Sequence, residues 1–227
     1  MGFRIVAAGD AALVLQLPAR IDPEVGDRAV ALAETIRRDC GDIVRDVVVG
    51  YCTVTAYFDP LQVDPARLEE QLTRLADAGP LPPRAAGKLI DVPVCYGGEE
   101  GPDLGDVAAA AALSESEVIG IHTGVTYRVY VVGFVPGFPY MAPVDRRLAL
   151  PRRSTPRTRV PAGSVAIAAG QTGIYPSATP GGWHLIGRTP LKPYDDARPE
   201  PFAFRAGDRV KFHAIDRITF ERESRWP

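Results

Sequence analysis

The stretch from Gly133 to Pro193 limits the fold more than any other part of the chain. Its 61 residues hold eight Gly and ten Pro, 18 of the 44 in the 227-residue sequence. Proline fixes φ and removes a backbone donor, and glycine weakens helix interiors, so no long helix can run through this block. Between these breakers Val, Ile, Phe and Tyr recur at short intervals, as in SVAIAAG (164–170) and WHLIGRT (183–189). That pattern predicts short strands joined by tight turns and argues against disorder.

The block is also basic. It carries eight Lys/Arg and one acidic residue, Asp145, a balance of +7. The remainder carries 18 basic and 27 acidic residues, −9, and the two add to the net −2 of the whole chain. Arg152, Arg153, Arg157 and Arg159 fall within eight residues. If that segment is extended, Arg157 and Arg159 share a face. Guanidinium groups grip carboxylates and phosphates through paired hydrogen bonds. The arginines therefore read either as an anion site for a carboxylate, phosphate or bicarbonate-like group, or as a solvated loop paired with the acidic remainder. Phe134, Phe138, Tyr140, Tyr175 and Trp183 read as barrel core or as the lining of a cleft. Gln171, between two glycines, could meet a ligand with its amide or bind turn backbone. His122, near the end of a short predicted helix, is either a general acid or base or a cap on the helix dipole. His184 and His213 read as packing or surface residues.

Before this block the pattern is different. Residues 3–17 read as two strands around Gly9-Asp10. Pro23–Cys40 reads as an amphipathic helix burying Val25, Ala29, Leu32, Ala33 and Ile36. Ile43–Phe58 is β-branched and broken at Gly50. Asp64 and Pro65 open a second helix with Leu68, Leu72 and Leu75 as its stripe. This order predicts a small α+β domain over 1–85. Pro80–Gly87 reads as a linker. A second domain over 86–227 begins with a strand at Lys88–Tyr96 and an alanine-rich helix at Leu104–Leu113. Ser114 and Glu117 form a capping box for the short helix. From Thr126 on, short strands predict a barrel or sandwich, the last of them DRVKFHAI and ITFERE.

Several classes are excluded by what is missing. No run approaches the 18 apolar residues of a membrane span, and the N-terminus lacks a signal-peptide pattern. Three widely spaced cysteines without a CxxC predict reduced thiols in a cytoplasmic protein. Three histidines without an HxxxH pair argue against a metal site. Phosphate-loop, GxGxxG, HExxH and GxSxG patterns are absent, so ATP chemistry would need another site or a partner chain. A compact basic block with acidic flanks argues against nucleic-acid binding.

GFVPGFPYM (133–141), PRRSTPRTRVPAGSVAIAAGQTGIYP (151–176) and PGGWHLIGRTP (180–190) closely resemble the bacterial family called allophanate hydrolase subunit 1. GDAALVL, VVVGYCTVTAYFDP and DVPVCYGGEEGPDL fit it as well, so the resemblance covers nearly the whole chain. That family includes the B-type subunit of 5-oxoprolinase and the Kip inhibitor of a sporulation histidine kinase. The resemblance implies an α+β N-terminal domain followed by a mainly-β, cyclophilin-like barrel. It also implies a carboxyltransferase-like subunit-2 (C-type) partner, a possible further A-type partner, and ATP with Mg bound in the complex rather than by this chain. On that reading the complex activates the lactam of 5-oxoproline for ring opening to glutamate, and the isolated chain has little activity. His122, Arg152 and Arg157 are the expected catalytic residues. Phe134, Gln171, Tyr175, Arg188 and Thr189 are the expected substrate contacts. The alternatives within the family are a histidine-kinase inhibitor and one component of an allophanate or urea-amide hydrolase.

Overall fold

The computed structural model describes residues 2–78 and 87–224. The linker expected over Pro80–Gly87 lies, apart from Gly87, outside the described residues, as does the boundary expected at residue 85. The chain divides into two compact units, Met1–Ala86 and Gly87–Pro227.

In the first unit the order is β1 (Arg4–Ala7), β2 (Ala12–Gln16), α1 (Pro23–Asp39), β3 (Val44–Val49), β4 (Thr53–Phe58) and α2 (Pro65–Asp77). The strands form one antiparallel sheet in the order β1-β2-β4-β3. Both helices begin with proline behind an aspartate cap. Asp22 accepts from the Glu24 and Val25 N–H groups, and Asp64 from Ala66. Proline suits this position because its missing N–H would have no helical partner. The helices bury the stripe that periodicity predicts, Val25, Ala29, Leu32, Ala33, Ile36, Leu68 and Leu72, against Leu13, Leu15, Val54 and Ala56 of the sheet. Gly50 falls in the tight β3–β4 connection, where its N–H donates to the Thr53 carbonyl.

The second unit is built on a closed seven-stranded barrel. Its strands are β5 (Leu89–Tyr96), β6 (Thr126–Val132), β7 (Pro139–Ala142), β9 (Ser164–Ala168), β10 (Gln171–Ile174), β12 (His184–Arg188) and β13 (Arg209–Ala214). Around the barrel they run β10-β7-β6-β13-β5-β12-β9. The β13–β5 pair is parallel and the rest are antiparallel. Two helices, α3 (Leu104–Ala111) and α4 (Glu115–Gly124), follow β5, and α4 begins with the Ser114–Glu117 capping box. A separate ribbon pairs β8 (Arg157–Val160) with β11 (Thr179–Gly181).

The Gly/Pro-rich block supplies β7 through β12, six short strands. Its glycines also make room for rings. A Cβ at Gly173 would come within 2.6 Å of the Phe138 ring, and one at Gly181 would overlap the Tyr175 hydroxyl.

ITFERE, expected as a strand, lies in α5 (Arg217–Glu223). The Asp216 carboxylate accepts from the Thr219 N–H, and Arg217 pairs with Glu221 one turn on at 2.7 Å. Capping and an i,i+4 pair outweigh a short alternation that buries only Phe220.

Leu72 is fully buried in the first unit. Leu72→Ala should lower unfolding free energy by about 2–5 kcal/mol, read by urea denaturation.

Candidate functional site

The site is organised by one buried carboxylate. Asp103 ends the GGEEGPD loop before α3 and is 2% exposed. It stands at the helix N-cap but makes no capping bond. Instead Arg157 grips both its oxygens, Nη1 to Oδ2 at 2.8 Å and Nη2 to Oδ1 at 2.7 Å. Arg153 Nη1 donates to Oδ1 at 2.8 Å, and the Leu185 N–H donates to Oδ2 at 2.7 Å. The backbone closes the link, with the Asp103 N–H on the Leu185 carbonyl at 2.9 Å and the Arg153 N–H on the Gly182 carbonyl at 2.8 Å. Burial alone would raise the Asp103 pKa. The Arg157 bonds, the Leu185 N–H and the two positive charges outweigh it and hold the carboxyl below its usual value.

This hub ties the 151–157 segment to β12 and leaves Arg152 outside the network. Among the described residues Arg152 has no ion pair and no hydrogen-bond partner. It lies at a cavity of about 240 Å³ walled by Phe134, Phe138, Tyr140, Tyr175 and Trp183. Phe138 is the centre of the cluster, with ring centroids 4.7 Å from Tyr140, 5.1 Å from Tyr175 and 5.5 Å from Trp183. Phe134 meets Phe138 edge-to-face at 5.8 Å, yet it is 63% exposed and has φ +71°. A bulky residue in left-handed backbone is strained, and such strain gathers at ligand clamps. Burial pushes the hydroxyls of Tyr140 and Tyr175 up, so both are neutral phenols near pH 7. At Tyr175 burial outweighs the opposing influence of the nearby Trp183 backbone N–H. Chemically the cup offers aromatic faces, phenol groups and one unpaired guanidinium.

Of the residues singled out from sequence, Phe134, Arg152 and Tyr175 meet at this cup. Arg157 lies next to it, occupied by Asp103. Arg188 lines a second cavity, where its Nε donates to the Ala162 carbonyl at 2.7 Å and its Nη1 lies 3.4 Å from Glu100. Thr189 is fully buried, and its Oγ1 accepts from the Leu191 N–H. Gln171 opens β10 after a tight turn with φ +49° at Ala169 and +77° at Gly170. His122 is fully buried within the barrel unit, 4.6 Å from the Phe212 ring and 5.2 Å from Tyr127. Its Nε2 is 3.0 Å from Thr172 Oγ1 and its Nδ1 2.7 Å from Tyr96 Oη. Thr172 donates its own proton to the Ala166 carbonyl. The hydroxyl is thus left to accept from His122 Nε2–H, and Nδ1 accepts from Tyr96. Burial lowers the His122 pKa to about 3, so the ring is neutral. Sequence reasoning missed Asp103. The arginine cluster called for a counter-ion, but only the fold selects one acid among 28.

The family model for the carboxyltransferase domain, subdomain C and D, matches residues 3–204, and the chain belongs to that family. It is 38% identical to the B-type subunit of 5-oxoprolinase from Bacillus subtilis (strain 168), covering 94% of this chain and 93% of that protein. It is 40% identical to the B-type subunit of 5-oxoprolinase from Haemophilus influenzae, covering 92% and 96%. Among solved structures, TTHA0988 superposes with a TM-score of 0.81 at 40% identity over 90% of this chain. The chain spans only 40% of the length of TTHA0988. The Kluyveromyces lactis urea amidolyase shares the fold at 18% identity, with a TM-score of 0.80.

Removing the Asp103 carboxylate leaves two part-buried guanidinium groups without their anion. Asp103→Ala should cost about 3–5 kcal/mol in denaturant unfolding. His122 gives a separate acid signature. The unfolded imidazole takes a proton near pH 6.5, while the folded one stays neutral to about 3. The unfolded state thus binds more protons in that window, and stability falls as pH drops through it, by up to about 1.4 kcal/mol per unit. Asp103 adds to this loss only below the ordinary carboxylate range. Unfolding measured at pH 6.5, 5.5 and 4.5 should show a shallower slope in His122→Gln than in the parent.

Proposed function

We propose that this chain is the B-type subunit of an ATP-dependent 5-oxoprolinase and that the aromatic cup holds 5-oxoproline. Two lines support the reading. Proteins named as that component of 5-oxoprolinase match the chain over nearly its full length. The observation that carries the assignment of the site is an unpaired Arg152 at an aromatic cup of about 240 Å³. Ligand sites for drug-sized molecules run from roughly 300 Å³ upward, so this cup suits something smaller. 5-Oxoproline is a five-membered lactam with one carboxylate. The ring stacks on Phe138 and its neighbours, Phe134 closes over it, and Arg152 grips the carboxylate. The neutral Tyr175 keeps its own proton and orients the amide of the lactam for activation.

Arg157 acts at one remove, by fixing the segment that carries Arg152 through Asp103. His122 and Gln171 lie outside the cup lining and serve it through the strands they hold. Arg188 belongs to the wall of the second cavity, and the buried Thr189 follows it in the chain without lining either cavity. In the complex ATP would supply a phosphoryl group to the lactam and leave as ADP. A C-type partner, with an A-type partner for ring opening, completes the reaction, and Mg enters with the nucleotide. We place the protein in the cytoplasm, read its barrel as cyclophilin-like, and treat 1–85 and 86–227 as separately folding domains.

The chain co-purified with its partners should hydrolyse ATP in a 5-oxoproline-dependent way. Arg152→Ala should raise KM for 5-oxoproline roughly tenfold or more, the worth of about 1.5–3 kcal/mol for a hydrogen bond to a charged group. Unchanged kinetics would remove Arg152 from the site. The exposure of Phe134 favours one other reading, a binding module that grips a segment of a sensor histidine kinase. Capture of a histidine kinase that Phe134→Ala abolishes, with no 5-oxoproline-dependent hydrolysis, would establish that instead.

A further inference from the structure

The second cavity, about 400 Å³, borders the same β8–β11 ribbon as the aromatic cup. The chain passes between the two. Tyr175 lines the cup, Pro176, Ser177 and Ala178 line the second cavity, and Pro180 returns to the cup. The two cavities thus share a stretch of wall, but their chemistry differs. The second has no aromatic cage. It is lined by three cations, Arg159, Arg188 and Lys192, and by two carboxylates, Asp195 and Asp196.

Two of the cations, Arg159 and Arg188, are placed to meet an anion. Arg159 is exposed and, among the described residues, has no ion pair or hydrogen bond. Arg188 is fixed in place by the Ala162 carbonyl, by Glu100 and by the Phe220 ring, 5.7 Å below its guanidinium. A fixed guanidinium loses little entropy on binding. Ser177 adds a hydroxyl. A lone phosphate or carboxylate would satisfy the cations but would be repelled by the two aspartates. A divalent cation removes that conflict. Magnesium is commonly held by one or two protein carboxylates together with ligand phosphates, and not by a cage of protein groups alone. Among the described residues no group of three or more His, Cys, Asp or Glu could hold a metal by itself. The lining thus matches a metal that arrives with its phosphates.

We propose that this cavity binds a magnesium-complexed polyphosphate, of the nucleoside triphosphate class. The need for such a ligand rests on the ATP-dependent reading above, while its location rests on the lining alone. Ser177, Arg159 and Arg188 hold phosphate oxygens, and Asp195 and Asp196 face the metal. A nucleotide here sits behind the wall that carries Tyr175, next to the cup that holds the amide.

The test is calorimetric titration of the full chain with MgATP, with magnesium tripolyphosphate, and with each polyphosphate in EDTA. Both magnesium complexes should bind, and MgATP binding tighter than tripolyphosphate would assign part of the site to the nucleoside. Arg159→Ala should weaken both by roughly tenfold or more. Asp195→Asn/Asp196→Asn should weaken the magnesium complexes and strengthen metal-free tripolyphosphate, because it removes both the metal contacts and the repulsion. Arg152→Ala, at the cup, should leave the titrations unchanged. No binding of either complex to the folded chain overturns the proposal, and so does binding indifferent to Arg159→Ala. Binding lost in Arg152→Ala instead would move the nucleotide to the cup and leave the 5-oxoprolinase reading standing. Polyphosphate binding as expected, without 5-oxoproline-dependent hydrolysis in the co-purified complex, would keep this site and discard that reading.

Discussion

The Asp103 carboxylate is the constraint on which the site depends. Taking an anion out of water is costly, and the cost is offset only where charges and N–H groups meet it closely. Here two guanidinium groups and one backbone N–H do so, all within 2.8 Å. The partners come from two places in the sequence, the segment around β8 and the start of β12, and meet the loop before α3 that carries Asp103. One buried charge therefore holds three segments in register. Arg152 of the cup, the β8 strand of the ribbon and Arg159 of the second cavity lie on chain that it anchors.

The hub also divides the arginines by role. Arg153 and Arg157 stay charged and are paired with Asp103. Arg152 and Arg159, in the same run, stay outside the network, and each lies at its own cavity. Neighbouring residues of one type thus do different work, because each guanidinium meets different neighbours. The glycines show a similar logic. Gly173 and Gly181 lack side chains where the Phe138 and Tyr175 rings pass, so the aromatic wall and the turn-rich backbone need each other.

Much of the fold was legible in local pattern. The Asp64-Pro65 helix start, the stripe Leu68 and Leu72, the Ser114–Glu117 box and the short strands after Thr126 all follow from propensity and spacing within a few residues. The failure at ITFERE has the same origin. A six-residue alternation resembles a strand, while the Asp216 cap and the Arg217–Glu221 pair stabilise a helix. His122 was ambiguous because sequence gives its titration range but not its burial. Inside the barrel, between Tyr96 and Thr172, it is a neutral group with both nitrogens occupied.

The sequence by itself determined most of the element types, the last helix apart, the basic and turn-rich character of residues 133–193, and the family whose motifs lie there. These depend on neighbours along the chain. It named Phe134, Arg152 and Tyr175 but could not bring them together, and it could not find Asp103. Only the tertiary structure decided which arginines are paired, which face a cavity, and that a histidine which titrates near neutrality in water is held uncharged. Pairing and desolvation depend on groups 50 to 82 residues apart in sequence, as Asp103 is from Arg153 and Leu185. No local pattern encodes that distance.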